Sequence, residues 1–347
     1  MTLADLPSAF GAVATVRGVP HLIGGWDESK DHHGMRSTVV RVEDCGRSLR
    51  VLHRQAPFKP RSFLPATTFN GAIRIFGGYH YAPPSNVLGD IWSSADGFNW
   101  TLDAIDPEWE EREAHGVVDH SGQLFLFGGV TYFRPDRSAR SGAQNSTHLR
   151  LFADVWRSRD GFEWDRVAAK APWGVRRSFS FASKDGHLWL WGGINDEAKE
   201  LFNDVWRSAD GVHWEKVVAR APWQPRAVMN PVGVFAGKLW VIGGDELYVV
   251  AGRGGWRNKG MNDVWSSSDG SDWQLATPAA EFEPRYGAFV FELTCDGQRA
   301  LGLFGGQNDT YPDGETRHRV FYKDLWTSRD GKSWSKSSFT IKSASAP

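Results

Sequence analysis

The nine-residue pattern Trp-x-Ser-x-Asp-Gly-x-x-Trp occurs five times in this chain, at Trp92–Trp100, Trp156–Trp164, Trp206–Trp214, Trp265–Trp273 and Trp326–Trp334. A Gly-Gly pair precedes each copy: Gly77-Gly78, Gly128-Gly129, Gly192-Gly193, Gly243-Gly244 and Gly305-Gly306. A sixth pair, Gly24-Gly25, is followed only by a decayed partner, Thr38 to Cys45, which keeps the strand pattern and loses both tryptophans. Self-similarity at a period of about 50 residues selects a repeat architecture before any local reading. Residues that recur in every repeat are scaffold, so function must sit in what the repeats leave over.

One repeat reads as four short strands. In residues 226–273, an alternating apolar run from Ala227 ends at Gly237, and Lys238-Leu239-Trp240-Val241-Ile242 ends at Gly243-Gly244. After a variable loop come Asn262-Asp263-Val264-Trp265, the turn Ser268-Asp269-Gly270, and Trp273-Gln274-Leu275. Asp-Gly between apolar alternations is a hairpin signal. Four antiparallel strands per repeat, repeated radially, describe an all-β propeller, and the Gly-Gly pairs number six blades. The blades fall near residues 8–55, 56–106, 107–170, 171–220, 221–278 and 279–340, as one domain over 1–347. The chain is expected to begin with an innermost strand and end with an outermost one near Trp334. The ring would then close by packing between the first and last blades, with the tail Phe339–Pro347 free to add an edge strand. The repeat tryptophans are expected to be buried between blades.

Composition narrows the partners. A net charge of −1 without a basic tract leaves no footprint for nucleic acid. No apolar stretch approaches the roughly 18 to 20 residues of a membrane span. The first seven residues carry neither a basic nor an apolar targeting region, so a cytoplasmic protein is expected. Two cysteines, Cys45 and Cys295, cannot form a secreted disulfide framework, and a reducing compartment fits. Both lie in or near turns of the first and last repeats; free thiols are expected, with pairing across the ring seam as the alternative.

The Gly-Gly doublet followed by an aromatic residue, with the next blade opened by Pro-Arg or Arg-Arg, resembles the Kelch repeat. Bacterial Kelch-type chains use the same Asp-Val-Trp-x-Ser-x-Asp-Gly-x-x-Trp strand pair. The resemblance covers the second to sixth blades well and the first poorly. It implies a six-bladed Kelch-type β-propeller. It does not settle function, since Kelch propellers include sugar oxidases, sialic acid mutarotases, iron-dependent specifier proteins and interaction modules. The Ser-x-Asp-Gly-x-x-Trp element is similar to a sialidase Asp-box, but its glycine comes one residue early, and a side chain bonding its own turn explains it.

Variable lengths separate the faces. The connections from Gly78 to Asp90, Gly129 to Asp154, Gly193 to Asp204, Gly244 to Asp263 and Gly306 to Asp324 differ widely, while the other turns are tight. Variable loops on a rigid scaffold carry binding residues. The insertions 130–153, 245–262 and 307–323 should wall a pocket over the channel mouth. Each inter-blade connection brings an arginine to that face: Arg61, Arg112, Arg176 or Arg177, Arg226 and Arg285. Such a ring suits an anionic ligand; the alternative for each arginine is a tie between blades.

Three residues after the arginine, where bacterial Kelch chains often carry histidine, only the third blade keeps it, as Arg112-Glu113-Ala114-His115. His115 and Glu113 could form an acid/base pair, with Tyr286 as a further proton carrier. The pocket would be asymmetric, apolar on one side. Tyr79 and Trp256 are candidate substrate contacts. His32, His33, His80 and His318, on the neighbouring blades one, two and six, could converge on a divalent transition metal. Cys45 and Cys295 belong to the opposite face, which argues against a copper–tyrosine radical site. The favoured function is a small-molecule enzyme, an isomerase, cyclase or lyase, acting on a polar, anionic substrate by non-redox acid/base chemistry and needing no cofactor. The alternatives are a protein-interaction scaffold and a metal-dependent enzyme using the histidines.

Overall fold

The computed structural model describes residues 2–28, 31–81, 86–133, 148–227, 233–249, 256–312 and 316–344. Each tryptophan repeat forms a four-stranded antiparallel sheet. In the fourth blade the strands are Ser180–Lys184, His187–Trp191, Val205–Ser208 and Trp214–Val218, paired in chain order. The first strands of successive blades touch one another, which places them around the axis. Blades stack face to face, so a second strand is covered on both sides. It therefore reads as a continuous apolar run, as in Leu188-Trp189-Leu190-Trp191, all of them buried. Apolar clusters lie between blades: Trp189 and Trp191 of the fourth pack with Leu239, Val241 and Trp273 of the fifth.

The Ser-x-Asp-Gly element is a self-bonded turn. Ser94 Oγ accepts the Gly97 N–H at 2.9 Å, and Asp96 Oδ1 accepts those of Phe98 and Asn99 at 2.8 and 2.7 Å. The same bonds recur at Ser158/Asp160, Ser208/Asp210, Ser267/Asp269 and Ser328/Asp330. Not every repeat tryptophan is fully buried as expected. Trp164, Trp206, Trp273 and Trp334 are; Trp92, Trp100, Trp156, Trp214, Trp265 and Trp326 are half-buried. The indoles of Trp92, Trp156, Trp206, Trp265 and Trp326 each donate to the aspartate two residues earlier.

That aspartate is the hub of a repeated tie. Arg112 donates Nη1 and Nη2 to Asp154 at 2.7 and 2.9 Å, and Nη1 also reaches the Gly128 carbonyl at 2.9 Å. Trp156 Nε1 donates to the same Asp154 carboxylate at 2.8 Å. Arg61–Asp90, Arg176–Asp204, Arg226–Asp263 and Arg285–Asp324 repeat the arrangement. Arginine, Gly-Gly and Asp-x-Trp thus recur together because one guanidinium joins all three.

The seam departs from the expected closure by packing alone. Thr340–Ser343 adds a fifth, parallel strand to the outer edge of the first blade, beside Ser48–His53. Cys45 and Cys295 form a disulfide with their Cα atoms 5.0 Å apart, which corrects the expectation of free thiols. Cys45 lies in the turn Asp44–Gly46 of the first blade, and Cys295 ends the first strand of the last. Radial closure brings turns 250 residues apart in sequence into contact, a proximity no local reading could supply. No helix among the described residues is long and apolar enough to cross a membrane.

Candidate functional site

Two residues per blade form the rim of the channel on the variable-loop face: the one after the tie arginine and the one after Gly-Gly. They pair as backbone bridges, Ala9 with Trp26, Ser62 with Tyr79, Glu113 with Val130, Arg177 with Ile194, Ala227 with Asp245 and Tyr286 with Gln307. Beyond them the variable loops rise as two-stranded ribbons, including Val130–Phe133 with His148–Leu151, Asp245–Val249 with Trp256–Gly260 and Gln307–Thr310 with His318–Phe321.

The tie arginines do not serve this mouth. Arg61, Arg112, Arg226 and Arg285 are at most 1% exposed, and each is held by an aspartate of its own blade. The expected anion ring is therefore a set of intrablade braces, since a guanidinium with its carboxylate has little left to offer a ligand. Arg177 is different. Arg176 takes the brace position, and Arg177, one residue on, turns to the mouth. It holds Asp196 through Nε at 2.7 Å and Nη2 at 2.6 Å.

Around Arg177 the mouth gathers a polar cluster. Tyr132 donates its hydroxyl to Glu113 Oε1 at 2.9 Å, leaving Glu113 Oε2 buried and without a partner among the described residues. Asn258 donates to Asp245 Oδ2 at 2.6 Å, leaving Asp245 Oδ1 in the same condition. Gln307 donates to the Tyr286 hydroxyl at 2.8 Å, and Arg319 pairs with Asp309 at 2.9 Å. Burial pushes Glu113 up to about 7, against the Arg177 charge and the Tyr132 hydrogen bond. Burial pushes Asp245 up to about 7 as well, against the Asn258 hydrogen bond and Arg177. Burial, then the charges of Asp309 and Asp245, raise the Tyr286 phenol far above its usual range, so it stays protonated. Arg177 stays charged, because Asp196, Tyr132 and Glu113 outweigh its burial.

The other side of the mouth is aromatic. The Tyr79 ring meets Tyr132 edge-on at 6.2 Å and Phe63 at 6.5 Å. Phe10 lies 4.5 Å from Phe63, 5.8 Å from Tyr286 and 6.1 Å from Trp26. Carboxyl and guanidinium groups from blades three to six face these aromatic rings from blades one and two.

His115 stands apart from Glu113. Between them Ala114 is left-handed, at φ 50°, as are Phe10, Phe63 and Ser178 at the equivalent positions. Their amides form a circumferential chain: Ser178 to Ala114, Ala114 to Phe63, Phe63 to Phe10 and Phe10 to Gly287, each 2.8 to 3.0 Å. This backbone hoop puts Glu113 on the mouth side and His115 on the channel side, so the expected acid/base pair is not formed. Burial, aided by the Arg112 charge, drives the His115 pKa well below its usual value and keeps the ring neutral.

Among the described residues the candidate metal histidines are not assembled into one site. His33 packs on Tyr81 with ring centres 4.0 Å apart, and His80 Nδ1 lies 2.7 Å from the Pro60 carbonyl. His318 is exposed on its ribbon, and the His32 side chain lies outside the described residues. Among the described residues no group of three His, Cys, Asp or Glu side chains could hold a metal ion. Trp256 begins a ribbon strand, and its side chain also lies outside the described residues. Glu113, Arg177, Tyr286 and Tyr79 are thus brought to one mouth. Asn258, Gln307, Arg319, Phe10 and Trp26 escaped sequence reasoning. A fixed offset from Gly-Gly, or from the tie arginine, would have found Trp26, Gln307 and Tyr286 together.

No family model matches the chain. Over 223 residues it is 26% identical to Kelch domain-containing protein 2 of Bos taurus, a match covering 55% of this chain and 50% of that protein. The chain therefore spans about half the length of that relative. The solved structure of YjhT is similar with a TM-score of 0.67 at 15% identity, over 96% of this chain and 98% of that one, a likeness of fold. Five four-stranded sheets and one five-stranded sheet, each carrying a Gly-Gly pair, make the chain a six-bladed β-propeller, and its repeats are similar to those of that Kelch domain-containing relative.

Proposed function

We infer that this propeller is a small-molecule enzyme whose site is the mouth around Arg177, and that it moves protons without redox chemistry, as an isomerase, cyclase or lyase does. One observation carries the reading: Glu113 and Asp245, both raised to about 7, each present an unpartnered buried oxygen beside the same guanidinium. A carboxyl group with a pKa near the working pH can give a proton as readily as it takes one. Tyr132 and Asn258 orient the two carboxyls, and Asp196 fixes the plane of Arg177. A fixed guanidinium stabilises negative charge as it develops on a substrate oxygen.

The expected anionic substrate loses support, because the tie arginines are taken. At the mouth, Arg177 and Arg319 are balanced by Asp196 and Asp309. An uncharged, hydroxyl-rich molecule with one apolar face fits better, its hydroxyls toward the carboxyls and its apolar face on the aromatic side. The seam disulfide favours an oxidising compartment over the cytoplasm.

Ligand-observed NMR with hexoses, polyols and the corresponding sugar acids tests the reading. Uncharged members should bind the wild type and lose binding to Arg177→Met. Turnover of a binder should fall by about 10²–10⁴-fold in Glu113→Gln and Asp245→Asn, with binding retained. A preference for the sugar acids would restore the anionic substrate. Full activity in both carboxyl variants would overturn the assignment.

A further inference from the structure

Below the backbone hoop the channel widens into a chamber of about 110 Å³. Its walls are apolar: Phe10, Phe63 and Leu64 on one side, Phe179 and Phe181 on the other, with Val290 of the last blade. Among the described residues, two polar side chains reach it. Ser178 Oγ already accepts from Arg177 Nη1 at 3.2 Å. His115 is 4% exposed, and neither of its ring nitrogens has a hydrogen-bond partner among the described residues. A buried polar group left unpaired costs about 1–3 kcal/mol, so an imidazole with both nitrogens open needs an occupant to meet it. The Trp109 ring, 5.8 Å away, packs beside the histidine and offers it no acceptor.

We propose that this chamber is a second binding site, distinct from the mouth, for a compact and mostly apolar molecule bearing a single hydroxyl group, which hydrogen-bonds a His115 ring nitrogen. A neutral imidazole has one donor and one acceptor, and a hydroxyl complements either. The size follows from the volume. A dry apolar cavity of about 150 Å³ admits benzene, so this smaller chamber admits at most one ring or a short branched chain. Among the described residues the walls hold no counter-charge, which disfavours a charged ligand. A sugar is disfavoured too, since one imidazole cannot satisfy its many hydroxyls. The amide hydrogen bonds that run from Ser178 through Ala114, Phe63 and Phe10 to Gly287 lie between this ligand and the carboxyls of the mouth.

Phenol and toluene, nearly equal in shape and differing in the hydroxyl, are the probes. Isothermal titration should give phenol about five- to tenfold tighter binding than toluene to the wild-type protein, the worth of one hydrogen bond. The imidazole ¹⁵N resonances of His115 should shift with phenol and stay in place with toluene. His115→Leu should abolish or invert the preference, and His115→Gln, which keeps a donor and an acceptor, should retain it. Glu113→Gln should leave phenol binding unchanged, which separates this site from the mouth whatever becomes of the proposed activity. Equal binding of the two probes would overturn the proposal. So would a chamber that binds neither while an ordered water holds His115.

Discussion

Asp154 accepts three donors at once, two from Arg112 and one from the Trp156 indole. Removing it would leave a fully buried guanidinium with only carbonyl oxygens as partners. Asp154→Ala should therefore lower unfolding free energy by about 3–5 kcal/mol in a denaturant titration, in the range for breaking a buried pair. A loss below about 1 kcal/mol would mean that the brace is dispensable. The mouth carboxyls act on stability through protons. Glu113 has an ordinary value of 4.5 and Asp245 one of 3.8, and both rise to about 7 on folding. Each binds its proton more tightly in the folded chain, so its stabilising contribution is complete below pH 4 and is lost as pH rises through 7. His21, lowered to about 4, and His115 act in the opposite sense, so the difference between variants is the informative quantity. Wild type should lose stability relative to Glu113→Gln as pH goes from about 5 to 7.5. A difference independent of pH would show that Glu113 titrates normally.

At the scale of elements, the seam is held by the parallel strand Thr340–Ser343 and by the bond between Cys45 and Cys295. The disulfide closes almost the whole ring and, in the chain-entropy account, stabilises by roughly 5 kcal/mol. Reductant should lower the melting temperature of wild type and leave a Cys45→Ser, Cys295→Ser double variant unchanged. Equal melting of wild type with and without reductant would show that packing alone closes the ring. The strands themselves were legible in the chain, because Gly-Gly and Ser-x-Asp-Gly mark their ends by local chemistry. The fifth strand could be named only as an option for the tail, because Thr340–Ser343 pairs with residues almost 300 positions earlier.

At the scale of the molecule, six similar blades supply a rigid frame on which dissimilar residues meet. Repetition made the frame legible and hid the site. Arginine, glycine and aspartate recur because they brace each blade, and their recurrence invited a ligand role that Arg61, Arg112, Arg226 and Arg285 do not have. Glu113, Arg177 and Tyr286 could be chosen from sequence because they neighbour the brace. Their partners Asn258 and Arg319 could not, because the ribbons that carry them have no shared register. The separation of His115 from Glu113 depends on the left-handed backbone at Ala114, which favours glycine and which alanine does not announce.

The proposed chemistry rests on two buried carboxyls at the mouth that hold their protons near neutrality. Side-chain ¹³C NMR of protein labelled at Glu and Asp carboxyls, with Glu113→Gln and Asp245→Asn used for assignment, measures this directly. Both resonances should titrate with midpoints near 7. Midpoints near 4 for both would contradict the account and remove the basis for acid/base chemistry at this site.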